Sequence, residues 1–391
     1  MKNIQRNLPK TQKRSFFLFG PRGVGKSTWL KDTYPDSFRI NLLDTSLSLK
    51  LQRDPHLLES LIPPNLKTFC IIDEVQKIPS LLDEVHRLIE DKRILFILSG
   101  SSARKLKKSG ANLLAGRASV MNMESFSAFE LKSKFKLQHA LEFGTLPLVY
   151  QKQGSERDIL EAYVHTYLKE EIKEEGLVRK VEPFVRFLEV AGRFNAQILN
   201  IENISREAAA PRASVQGYFD ILYDTLIGHR LPAYRPGGKV REVHHSKFYF
   251  FDVGVARACA DNLRSEPDTV AAGYLFETLM FHELRVYNEI SGKKFPIYYY
   301  RSGAGSEIDF VIETEKKGFS SKAQVILIEC KSSKRWDRKW EKPIRSFGET
   351  QKVNVKKKCG IYCGSEKLNF DGFAVFPFTQ FIESLYAGDI F

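Results

Sequence analysis

The sequence predicts an α/β fold in three parts: a parallel-sheet unit over residues 1–150, a helical middle over 151–245 and a second α/β unit over 246–391. Three observations predict it. The apolar run Ser15-Phe16-Phe17-Leu18-Phe19 leads into a glycine-rich stretch and then the helix-like Trp29-Leu30-Lys31, giving the order strand, loop, helix. Two further continuous apolar runs, near Phe69 to Ile72 and Ile94 to Leu98, suit parallel strands buried on both faces. In the last third an apolar hairpin and a following strand carry Asp309, Glu329 and Lys331.

The first loop is Gly20-Pro21-Arg22-Gly23-Val24-Gly25-Lys26-Ser27-Thr28, a G-x-x-x-x-G-K-S phosphate loop. Its glycines let successive N–H groups face inward at a helix N-terminus, where the dipole favours anions. Lys26 is expected to reach the β and γ phosphates of ATP, and the Ser27 hydroxyl to ligate Mg²⁺. A second strand is read at Phe38 to Asp44, then a helical region from Leu47 to Ile62 ended by Pro63-Pro64. The strand Thr68 to Ile72 finishes in Asp73-Glu74, and acids at that place belong at the ligand-binding C-terminal edge of an open sheet. Asp73 is read as the Mg²⁺ carboxylate and Glu74 as the group that orients or deprotonates water. The next strand stops at Ser99-Gly100-Ser101-Ser102, so Ser99, with Ser101 second, is a candidate γ-phosphate sensor; an ordinary Ser-Gly turn reads equally well. Beyond the basic segment 104–108, Arg117 is a candidate for stabilising the transferring phosphoryl group, in cis or from a neighbouring subunit, against the plain reading of a surface arginine.

In the middle, Arg157 to Glu175 has helical spacing with acids crowded at its end. Three short helices are expected at Phe184 to Phe194, Ile201 to Ala209 and Arg212 to Ile227, with Leu231 to Arg241 as a wing. Arg212, Ser214 and Gln216 would read DNA; the competing reading is that Tyr218, Phe219, Leu222 and Leu226 simply pack this unit between its neighbours. A strand ending in a turn follows at Lys247 to Gly254.

The last third offers a second centre. Glu277 lies near the apolar side of the helix Gly273 to Leu284, and a hairpin joins Pro296 to Arg301 with Glu307 to Ile312. Glu329 and Lys331 share one face of the next strand, and at the end of an apolar strand they need each other, a metal, or both. Asp309 and Glu329 would hold Mg²⁺, Lys331 would position the attacking water, and Glu277 would add an outer contact. From Lys331 to Lys358 there are eleven Lys or Arg and three acids, interleaved with Trp336, Trp340 and Phe347, which suits phosphate contact and base stacking as well as a solvated helix. One or two strands and a final helix complete the chain.

The chain's 391 residues exceed one ordinary core, and 43% hydrophobic with 27% charged residues describe a soluble globular protein. A net charge of +13 favours nucleic acid, DNA first, as partner. The five cysteines, Cys70, Cys259, Cys330, Cys359 and Cys363, are odd in number and scattered, as in a reducing cytoplasm, and Cys359 and Cys363 lack a second pair for zinc. Neither a signal segment nor a membrane span is expected.

The phosphate loop, Ile71-Ile72-Asp73-Glu74-Val75-Gln76, Leu98 to Ser102, Leu114-Ala115-Gly116-Arg117, Ser125 to Leu131 and Gly144-Thr145-Leu146-Pro147 resemble the AAA-type ATPases of the AAA+ superfamily, in particular a prokaryotic group with a C-terminal domain of unknown function. That resemblance implies a winged helix in the middle region, and in this group threonine more often stands where Ser99 does here. Glu277, Asp309 and Glu329-Cys330-Lys331 resemble the PD-(D/E)xK restriction-endonuclease-like nucleases, with Ile308 where many of them have proline. The expected activity is Mg²⁺-dependent ATP hydrolysis that gates a nuclease-like domain on nucleic acid. The alternative is a nucleotide-dependent switch with an inactive nuclease fold, and assembly into homo-oligomers is open.

Overall fold

Ser15 to Phe19 is apolar from end to end because it lies at the centre of a sheet covered on both faces, and every residue of this strand, β1, is buried. The computed structural model describes residues 4–11, 13–102, 114–151, 154–168, 181–236, 245–303, 305–318, 322–350 and 353–391. Around β1 stand β2 (Phe38–Asn41), β3 (Phe69–Asp73), β4 (Leu95–Gly100) and β5 (Ala118–Asn122), in the order β2-β3-β4-β1-β5 with every pairing parallel. The C-terminal ends of β1, β3 and β4 therefore lie side by side, with Asp73 opposite Ser99 and Phe19 opposite Gly100. β5 was not legible as a strand: it is an edge strand whose Ser119 and Val120 are exposed. The expected helix from Leu47 to Ile62 is two helices, Thr45–Arg53 and Leu57–Leu61. Pro55 divides them, because Asp54 before it is driven out of helical geometry to φ −141° and ψ 92°.

The middle of the chain packs the helices Val181–Arg193, Ile201–Glu207 and Arg212–Asp224 against a small antiparallel sheet. Its strands are β6 (Gln197–Ile198), β7 (Gly228–Leu231) and β8 (Lys247–Phe250), in the order β6-β8-β7. Phe187, Phe219 and Phe248 meet at its centre, with ring centroids 4.8 and 5.0 Å from Phe219. Val215, Phe219 and Leu222 are buried, while Arg212 and Gln216 are exposed and Ser214 is half-buried. The helix read from Arg157 runs over Glu156–Ala162 and turns π-helical at Tyr163–Leu168; its acidic end at 169–175 lies outside the described residues, as do the basic segment 104–108 and residues 237–241 of the expected wing.

The last third forms a six-stranded sheet of β9 (Ile297–Arg301), β10 (Glu307–Glu315), β11 (Gln324–Lys331), β12 (Asn354–Tyr362), β13 (Leu368–Phe370) and β14 (Phe373–Pro377), ordered β13-β14-β12-β11-β10-β9. β9, β10 and β11 are antiparallel, whereas β11, β12 and β14 run parallel. Three strands follow β11 where one or two were expected, because the lysine-rich start of β12 hides its period. The long helix Thr269–Ile290 and the last helix Phe378–Tyr386 pack with Phe310, Ile312, Ile326 and Ile328, and the helix Lys342–Thr350 packs with Val311, Val325 and Leu327. Phe347 is 1% exposed and belongs to this packing, so it is not a base-stacking residue. Among the described residues no helix is long and apolar enough to cross a membrane.

The long helix also joins the two α/β units. Glu283 Oε1 accepts the Ala128 N–H at 2.7 Å, Glu289 Oε1 the Asn122 N–H at 3.1 Å, and the Arg285 guanidinium pairs with Glu124. His282 Nε2 lies 3.0 Å from the Phe126 carbonyl oxygen. Burial raises the Glu283 carboxyl to about 8 and lowers His282 to about 3, so both are neutral near pH 7.

Candidate functional site

The loop after β1 is shaped by its glycines. Gly23 and Gly25 stand at φ 83° and 91°, left-handed values that β-carbons resist, and a Cβ on Gly20 would lie 2.2 Å from the Met123 carbonyl oxygen where β5 closes against β1. Pro21 and Val24 are buried, Arg22 is half-buried, and the Arg22 carbonyl accepts the Tyr163 hydroxyl at 2.9 Å. The helix Lys26–Thr33 starts directly after Gly25. Lys26 folds back over the loop, its Nζ donating to the carbonyls of Gly20 at 2.7 Å and Pro21 at 3.1 Å.

Beside it, Ser27 Oγ donates to Asp73 Oδ2 at 2.8 Å, and the Ser99 hydroxyl donates to the other oxygen of the same carboxylate. The structure thus brings Lys26, Ser27, Asp73 and Ser99 to one edge of the sheet, with Ser99 fully buried. Glu74 follows in the left-handed region at φ 61°, and its Oε2 accepts from Gln76 Nε2 at 2.5 Å. Gln76 also donates to Ser101 Oγ at 3.1 Å, so Ser101 serves this side-chain bridge. Arg117 is not brought there. It precedes Ala118, which pairs with Ser15 at the opposite end of β1, about 13 Å of strand away from the loop, and it pairs with Glu90. The expectation that Arg117 serves its own chain's phosphates is therefore corrected.

A cavity of about 280 Å³ adjoins the loop and the helix behind it. Val24, Thr28 and Trp29 form one wall, Arg6 and Phe126 another, and Pro147 and Tyr150 a third. The Arg6 guanidinium lies 4.8 Å from the Phe126 ring centre. Near Pro147, Gly144 sits at φ 71° against Asp252, whose carboxylate accepts the Thr145 N–H at 2.7 Å and the Val255 N–H at 3.1 Å.

A second cavity, of about 690 Å³, collects Glu277, Asp309, Glu329 and Lys331 from the long helix, β10 and β11. Asp309 Oδ2 accepts the Cys330 N–H at 2.7 Å, and Lys331 Nζ donates to Glu329 Oε1 at 2.5 Å. Glu329 Oε2 is buried and has no hydrogen-bond partner among the described residues. Burial, reinforced by the charge of Asp309, holds the Glu329 carboxyl well above its ordinary range, with Lys331 opposing.

Sequence reasoning missed Lys247, Tyr249 and Glu307. Lys247 Nζ lies 2.6 Å from both Glu277 Oε1 and Glu307 Oε1, and the Tyr249 hydroxyl donates to Glu277 as well. Both contacts fall on Glu277 Oε1 and tie the long helix to β8. Burial lifts the Glu277 carboxyl to about 7 although Lys247 opposes the shift. Among the described residues no three acidic, histidine or cysteine side chains stand in metal-holding geometry. A lysine opening the otherwise aromatic strand Lys247–Phe250 was the available signal, because a buried lysine needs carboxylate partners.

Residues 12–132 match a family model described as an AAA domain. Residues 134–266 and 272–381 each match a domain of unknown function, DUF8612 and DUF4143. No curated protein matches the chain. Two similar solved structures are the Orc1 protein of Aeropyrum pernix in complex with DNA and a STAND signal-transduction ATPase with a tetratricopeptide-repeat sensor from Pyrococcus horikoshii. The first is 11% identical and the match covers 64% of this chain and 87% of that one, at a TM-score of 0.28. The second is 13% identical, with 71% and 45% covered, at a TM-score of 0.25. The family match, together with the parallel sheet and its phosphate loop, supports an AAA-type ATPase domain over residues 12–132.

Proposed function

We propose that this protein hydrolyses ATP with Mg²⁺ at the phosphate loop and uses the nucleotide cycle to govern a restriction-endonuclease-like C-terminal domain that acts on nucleic acid. The observation that carries the reading is the chain Ser27–Asp73–Ser99 set beside Lys26 at the edge where three parallel strands end. A hydroxyl and a carboxylate 2.8 Å apart next to a phosphate loop fit a Mg²⁺ ion, which would be held through Ser27 and Asp73 and, when bound, supplies charge neutralisation between the β and γ phosphates. Lys26 exchanges its loop carbonyls for phosphate oxygens, and the N–H groups of the loop and helix start receive the rest of the triphosphate charge. Ser99 donates to Asp73 and fixes that carboxylate. Glu74, released from Gln76, orients water at the γ phosphate. The adenine ring enters the cavity lined by Thr28, Trp29, Phe126 and Tyr150.

The order helix, short strand, two helices, hairpin in the middle region supports a winged helix, with Arg212 and Gln216 exposed on its third helix for nucleic acid. Asp309, Glu329 and Lys331 supply the C-terminal centre, the orphaned oxygen of Glu329 being the fit for a divalent cation. A second reading, a switch whose nuclease fold does not cut, is favoured by one observation: Glu277 is held by Lys247 and Tyr249.

Phosphate release is measured for the wild type, Lys26→Ala and Glu74→Gln, and DNA and RNA cleavage with Mg²⁺ or Mn²⁺ for the wild type and Asp309→Ala. Hydrolysis lost in the first two variants and cleavage lost in the third is the expected result. ATP turnover with no cleavage of any substrate would select the second reading, and hydrolysis unaffected by Lys26→Ala would end both.

A further inference from the structure

The acidic cavity is shared between two sheets. Asp309 and Glu329 come from the six-stranded sheet, Glu277 from the helix packed on it, and Lys247 from β8 of the small middle sheet. The cavity thus gathers four acidic side chains, Glu277, Glu307, Asp309 and Glu329, with Lys247, Arg301 and Lys331. Lys247 is 3% exposed and sits 2.6 Å from each of two carboxylate oxygens, the place and contacts of a bound cation. In the same cavity the buried Glu329 Oε2 has no hydrogen-bond partner among the described residues, a polar atom that the lysine on β8 does not satisfy.

We propose that Lys247 is a removable plug: seated between Glu277 and Glu307 it holds the place of a divalent cation, and the cavity takes that cation on Glu277, Asp309 and Glu329 when β8 draws the lysine back. This rests on reading the cavity as a cation site. One segment also connects β8 with the cavity beside the phosphate loop. β8 runs through Phe251 into Asp252, whose carboxylate is bound to the Thr145 N–H, two residues before Pro147 in the wall of the nucleotide cavity. Five residues of extended chain span about 16 Å, so one short segment links the two cavities.

The test is Mn²⁺ binding to the full, nucleotide-free chain, followed by calorimetry and by the spin-resonance signal of free Mn²⁺. Lys247→Met is expected to bind Mn²⁺ at least tenfold tighter than the wild type, and Lys247→Arg to match the wild type. The gain disappears when Asp309→Asn or Glu277→Gln is added. Wild-type binding as tight as that of Lys247→Met, and abolished by Asp309→Asn, overturns the plug and leaves the cation site standing. No Asp309-dependent binding in either chain overturns the cation site itself. Should Lys247→Met fail to fold, acetylation of Lys247 in the wild type decides the matter: labelling must rise when a non-hydrolysable ATP analogue and Mg²⁺ are added, and unchanged labelling overturns the plug.

Discussion

Replacing Gln76 by methionine is expected to raise the basal rate of ATP hydrolysis. Glu74 stands at φ 61°, in a region that a residue with a β-carbon enters only when its surroundings hold it there. What holds its side chain is Gln76 Nε2, 2.5 Å from Glu74 Oε2 and 3.1 Å from Ser101 Oγ, on a side chain that is 6% exposed. A hydrogen bond to a charged group contributes about 1.5–3 kcal/mol net. Where that bond breaks before Glu74 turns to the attacking water, the same energy is part of the barrier. At about 1.4 kcal/mol per factor of ten, its removal raises kcat roughly 10- to 100-fold. Methionine keeps the length of the side chain against Gly100 and donates nothing. The assay is steady-state phosphate release at saturating Mg²⁺ and ATP, with Glu74→Gln setting the floor and thermal unfolding checking the fold. An unchanged or lower kcat in a variant of normal Tm refutes the reasoning, because Gln76 would then be supporting the active pose of Glu74.

Gly20→Ala places a carbon 2.2 Å from a backbone oxygen that cannot rotate away, so unfolding in urea is expected to show a loss of about 1–3 kcal/mol, and full stability would mean that β5 does not close there. Stability between pH 7 and 8 is expected to fall as pH rises. The Glu283 carboxyl is raised to about 8 against 4.5 unfolded, so across this window the folded chain holds a proton that the unfolded chain has released, while unfolded histidines have already lost theirs. Glu283→Gln should flatten the slope by up to about 1.4 kcal/mol per pH unit in denaturant titrations, and an identical slope in both chains refutes the assignment. Arg117→Ala is expected to lower hydrolysis about 10³-fold if the arginine completes a neighbouring subunit's site, and mixing it with Lys26→Ala should restore part of the rate; no recovery on mixing counts against that role.

The phosphate loop was legible because its chemistry is local: glycines for the curl, a lysine and a hydroxyl at fixed offsets, all within nine consecutive residues. Asp73, Glu74 and Ser99 were legible for a related reason, since acids or hydroxyls that end a run of apolar residues lie where parallel strands end. Elements whose pattern is weakened by their position were lost. β5 exposes the consecutive Ser119 and Val120 at a sheet edge and so breaks the apolar run, β6 is two residues long, and a single proline divides the helix at Pro55. Contacts between distant segments leave no period to read. Lys247 meets Glu277 across 30 residues, and Asp252 holds Thr145 across 107. Such pairs announce themselves only as local contradictions, a lysine opening an aromatic buried strand or an aspartate ending it, each too polar for its place unless something far along the chain satisfies it. Both contradictions fall within the six residues Lys247 to Asp252, the lysine lining the acidic cavity and the aspartate bound to Thr145, two residues before Pro147 of the other cavity. The segment that looked least informative in the sequence is therefore the one that lines the acidic cavity at one end and holds Thr145, beside Pro147 of the other cavity, at its far end, and a substitution there is expected to change both at once.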